Sequence, residues 1–112
     1  MIDIAVTLKY ADKCATSEDF QREVENLRMS LTRAAKEHYP SIACIEVFPV
    51  ESSRGKFANV YVHIESDSPV DADDTFDALM NYVGVTSAEE DLDNLPAADG
   101  LFVSRERELS MA

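Results

Sequence analysis

The sequence predicts an α+β fold, an antiparallel sheet with its helices gathered on one face. Two periodicities and one turn carry that expectation. Apolar residues alternate with period two along residues 2–10 and again along 57–65, the signature of half-buried strands. Between them Phe20, Val24, Leu27, Leu31, Ala34 and His38 recur at steps of four and three, which draws a single apolar stripe on a 3.6-residue helix. Gly55, inside the polar stretch 51–56, turns a second strand back onto a third.

In the first strand Ile2, Ile4, Val6, Leu8 and Tyr10 share one side, and Asp3, Ala5, Thr7 and Lys9 the other. Residues 11–15 connect it to a helix over 16–39. Thr16 or Ser17 caps that helix, Glu18 and Asp19 suit the positive end of its dipole, Arg33 and Lys36 the negative end, and Pro40 stops it. A second strand, 42–50, interleaves Ile45 and Val47 with Cys44, Glu46 and Phe48, and Pro49 either sets it at a sheet edge or breaks it there. The third strand puts Ala58, Val60, Val62 and Ile64 on one side and Phe57, Asn59, Tyr61, His63 and Glu65 on the other.

Asp71, Asp73 and Asp74 load the first turn of a second helix, with Phe76, Leu79, Met80 and Val83 as its stripe and Gly84 as its stop. Thr86 or Ser87 then begins either another helical turn or an acidic loop, and Leu101, Phe102 and Val103 form a short last strand. Strand, helix, strand, strand, helix, strand is the split βαβ or ferredoxin-like arrangement, βαββαβ, with both helices on one face of the sheet. Without the last strand, a three-stranded βαββα layer remains.

Composition bounds the classes of function. At 112 residues, 46% hydrophobic, with three Gly and four Pro, the chain reads as one domain over 1–112. Residues 104–112 are a tail that either extends the last strand or frays. The first residues lack the basic region of a signal peptide and no apolar run approaches membrane-spanning length, so the expected location is the cytoplasm. Cys14 and Cys44 are too few for a disulfide framework and read as buried, reduced thiols.

The net charge of −12 is segregated. Residues 1–56 hold 9 acids and 8 bases, whereas 57–104 hold 11 acids and no Lys or Arg. Nucleic-acid affinity rests chiefly on Lys and Arg, so direct binding of DNA or RNA is excluded as an expectation. Phe57 and Tyr61 on the free face, in the stretch 54–61, resemble in part the third strand of RNA-recognition modules. The match needs a one-residue insertion, sets Asn59 where a stacking aromatic belongs and finds no aromatic on the first strand.

Two groups of residues remain as candidate sites. Asp71, Asp73, Asp74 and Asp77, followed by Glu89, Glu90, Asp91 and Asp93, form an acidic segment within 65–99. They lack the glycine and distal glutamate of a calcium loop, so no metal or cofactor is expected. They suit a docking surface for a basic protein partner, in the manner of immunity proteins or nucleic-acid mimics of phage or plasmid origin. The alternative is the free sheet face, with Phe57, Tyr61 and His63 as a homodimer interface or small-molecule pocket of a housekeeping or enzymatic domain. Phe57 and Tyr61 are then buried by a second copy or by the C-terminal segment. His63 has no ligand partner at the spacing of a metal motif and no nucleophile in sight beside it, and no enzyme activity is expected. His38, on the helix stripe near its C-terminus, reads as a partly buried imidazole or one that interacts with the helix dipole.

Overall fold

A computed structural model describes residues 1–10, 16–83, 86–87 and 102–111, the last two stretches as backbone. Strand β1 spans Ile2–Tyr10, helix α1 Ser17–His38, strand β2 Ile42–Ser52, strand β3 Gly55–Ile64 and helix α2 Pro69–Tyr82. Two backbone segments follow, β4 at Thr86–Ser87 and β5 at Phe102–Met111.

The chain is α+β, with an antiparallel sheet of three strands in the order β1-β3-β2 and two helices. β1 alternates without a break. Ile2, Ile4, Val6, Leu8 and Tyr10 are buried and the residues between them half-buried. Its pairing with β3 sets Ile2 opposite Ile64, Ile4 opposite Val62 and Val6 opposite Val60, so the apolar sets of both strands fall on one face. Phe20, Val24, Leu27, Leu31, Ala34 and Ala35 of α1, and Ala72, Phe76, Leu79 and Met80 of α2, close over that face in one core.

Local signals start and stop each helix. Thr16 accepts a hydrogen bond from the Asp19 amide at 3.1 Å, and Ser68 does the same for Asp71 at 3.3 Å, with Pro69 in the first turn of α2. Ser53 and Arg54 make the tight turn between β2 and β3. Gly55 then adopts φ +134°, where a side chain would strain the backbone. β2 is an outer strand, where Pro49 is tolerated. A register shift between Ile42 and Cys44 gives it one extra residue. That bulge keeps Ile42 in the core together with Val47, which strict alternation would forbid.

Two expectations are corrected. Cys44 is exposed, because it lies opposite His63 on the uncovered side of the outer strand. His38 is exposed rather than partly buried: it lies one turn beyond Ala34, in the last turn of α1 where a basic group suits the dipole, and its Nε2 is 3.0 Å from the Tyr82 hydroxyl. Thr86 and Ser87 are extended and pair in parallel with Val103 and Ser104, and the stretch expected to follow them as a helical turn or an acidic loop lies outside the described residues. β5 pairs antiparallel with β1 from Phe102 to Met111. Cys14 and Gly84 lie outside the described residues.

Leu31 and Phe76 are fully buried. Leu31→Ala and Phe76→Ala are each expected to destabilise the fold by about 2–5 kcal/mol, as large-to-small core changes do. Met29→Ala, on the exposed side of α1, should cost less than about 0.5 kcal/mol. Urea midpoints of the three variants check this. Equal midpoints for Leu31→Ala and Met29→Ala would place the stripe away from the sheet.

Candidate functional site

The side of the sheet opposite the helices carries the densest cluster of chemistry among the described residues. Antiparallel pairing sets Asp3 of β1 opposite His63 of β3, and sets Cys44 and Glu46 of β2 opposite His63 and Tyr61. His63 Nδ1 is 2.6 Å from Asp3 Oδ1, and Nε2 is 3.2 Å from Glu46 Oε2. Carboxylates only accept, so both contacts are satisfied together only by the doubly protonated ring, donating on each side. The hydrogen bond to Asp3, then that to Glu46, raises the His63 pKa above its ordinary 6.5 against a smaller effect of desolvation.

This arrangement ties three strands together and takes up both ring nitrogens. Cys44, the nucleophile that sequence spacing did not bring near His63, is directly across from it in register. The imidazole has no free lone pair to activate it, however, while both carboxylates hold the ring. Among the described residues no three His, Cys, Asp or Glu converge to hold a metal ion. Asp3 and Glu46 approach opposite edges of one ring, which keeps their oxygens apart.

Beside the histidine lies an aromatic patch. Phe48 and Tyr61 meet edge to face with centroids 5.8 Å apart, and they are 50% and 38% exposed. Val50 adds a further exposed apolar side chain. Phe57, in register with Val50 on this side of the sheet, is buried within the chain, whereas Tyr61 is not. Thr7 Oγ1 and Asn59 Oδ1 are 3.3 Å apart on the same face. Glu46 is the residue of this face that sequence reasoning missed, although the alternation of β2 against β3 places both it and Phe48 here. Asp3 and His63 are 60 residues apart in sequence, and the β1–β3 register joins them.

The acidic candidates fall on α2 and beyond it. Asp71 and Asp74 are exposed, while Asp73 and Asp77 are half-buried rather than fully solvated. With Glu65 and Asp67, both exposed, Asp71 and Asp74 form an acidic ridge along the start of α2, a helix with four Asp and no Lys or Arg. On α1, by contrast, acids meet bases. Arg22 pairs with Asp19 at 3.4 Å, and Arg28 binds Glu25, lowering that carboxyl's pKa through the hydrogen bond. Glu89, Glu90, Asp91 and Asp93 lie outside the described residues. No described helix is long and apolar enough to cross a membrane. Known protein families, curated proteins and solved structures were compared with the chain, and none matches it.

Protonation of His63 is linked to folding. Because the folded pKa is raised, the stabilisation is complete below the unfolded value near 6.5 and is lost as pH rises through the folded value. Wild type should therefore lose roughly 0.2–1 kcal/mol relative to His63→Gln between about pH 6 and about pH 8.5, the range for a solvent-accessible pair. Urea midpoints of both proteins at the two pH values check this. Parallel pH profiles would show that the two carboxylate contacts are not maintained in solution.

Proposed function

We propose that the protein is a small acidic binding protein. It docks a basic protein partner through its acidic segment, 65–99, and covers the surface with which that partner binds nucleic acid. The observation that carries this reading is the segregation of charge: 11 acids and no Lys or Arg between residues 57 and 104, against a near balance before them. An exposed ridge of Glu65, Asp67, Asp71 and Asp74 supports it, since unpaired charge of one sign concentrates the potential that speeds encounter with a cationic surface. We further propose the complete ferredoxin-like βαββαβ topology for the chain. The antiparallel ladder of β5 along β1, on the side of β1 away from β3, supports it.

The expected consequence is kinetic. Charge reversal at Asp71 and Asp74 should slow association with the partner and flatten its salt dependence, because exposed charges are screened within roughly 8 Å at physiological ionic strength. Folding should change by less than about 1 kcal/mol. The test captures a partner from the native host with tagged protein. It then measures association rates of wild type and Asp71→Lys/Asp74→Lys across a salt series, with melting curves alongside. Equal rates at every salt concentration for a folded double variant would remove the ridge from the docking surface.

A further inference from the structure

We infer that the uncovered sheet face, centred on Tyr61, Phe48 and Glu46, is the part of the protein that grips the basic partner. It does so by receiving an extended segment in which arginines alternate with apolar side chains. This rests on the acidic-binder reading above and names the surface and the chemistry that the reading leaves open.

Three observations commit the face to that occupant. First, it is apolar where it is exposed: Phe48, Val50 and Tyr61 stand in solvent although each lies within the sheet. An exposed patch of this kind is stabilised when it is covered. Second, its charge is mainly negative. Glu46 is in register with Tyr61 and Asp3 with His63, so two carboxylates lie beside the aromatic pair. The basic side chain of the β1 row is Lys9, at the far end of the strand from Asp3. Third, the aromatic and the acid are in register. Glu46 faces Tyr61 across the β2–β3 ladder, so a guanidinium laid on the Tyr61 ring meets a carboxylate at its edge. That pairing of ring face and carboxylate is what a planar cation with five donors binds best.

Charge also decides against the other occupants. A second copy would bring a further −12 towards this strip, and a nucleic acid would bring phosphates. A partner segment of arginine and leucine supplies both missing complements.

His63 modulates the grip. Facing it are Asp3 from β1, Glu46 and Cys44 from β2, and Tyr61 and Glu65 two positions away on its own strand. While protonated it occupies both carboxylates that an incoming arginine needs. As pH rises through its titration the ring loses its charge and one of its two N–H donors, so one carboxylate is released and affinity for a cationic segment rises with pH.

The experiment titrates the full chain, isotopically labelled, with the end-blocked peptide Arg-Leu-Arg-Leu-Arg and follows backbone amide shifts. Saturable shifts are expected at 3–7, 44–50 and 59–63. Tyr61→Ala and Glu46→Gln are each expected to weaken binding by roughly two- to fivefold, the size of one exposed cation–aromatic contact. Met29→Ala, on the exposed side of α1, should leave it within about twofold. Affinity should increase from about pH 6 to about pH 8.5 in wild type and stay level in His63→Gln. Shifts confined to 65–77 overturn this inference and leave the acidic-binder reading standing. An absence of saturable shifts overturns the inference too, and the partner's salt series then judges the reading separately. Sedimentation showing a dimer that Tyr61→Ala dissociates would assign the face to a second copy instead.

Discussion

The structure depends on one-sided burial. Both helices lie against the same face of the sheet, so every second residue of β1 and β3 is committed to the core and every other one is not. A slip of one residue between β1 and β3 would turn Ile2, Ile4, Val6 and Leu8 outwards and bury Asp3 and Lys9. No such slip is tolerable, and the register Ile2 to Ile64 follows. Once it is set, the positions left over are not arbitrary. Asp3 must face His63, and Thr7 must face Asn59, as a by-product of packing isoleucines on the other side.

The parts of this fold that were legible in the sequence are those governed by periodicity. The stripe of α1 from Phe20 to Ala34, the alternation of β1 and β3, and the turn at Gly55 are local patterns with large burial energies behind them. What was not legible came from pairing between distant segments. The bulge near Ala43 changes the parity of β2 and has no marker in its own residues. The exposure of Cys44 follows from the outer position of β2, which is a property of strand order. His63 looked solitary because Asp3 is 60 residues away in sequence, and no spacing rule connects them. Half-burial of Asp73 and Asp77 was hidden for a similar reason, since a helical wheel shows which face a residue is on and not how far the neighbouring layer extends.

The chemistry of the free face follows from what surrounds a single imidazole. A histidine with one carboxylate and one open nitrogen is a proton shuttle; with two carboxylates it is a cationic brace. His63 has two, drawn from the strands on either side, and its function is correspondingly structural and electrostatic. The exposed aromatics beside it have no such internal explanation. Phe48 and Tyr61 contact each other, leave much of each ring in solvent and contribute no residue to the helix-side core.

The contrast between the two helices has a mechanical meaning. α1 carries its arginines within a turn of its acids, so its fields largely cancel at a distance, while α2 has four aspartates and no Lys or Arg of its own. Net charge alone would pull the molecule towards a cationic surface in any orientation. Uneven charge also exerts a torque. An approaching positive surface rotates the α2 side forward before contact, so the protein arrives already turned and fewer collisions are wasted.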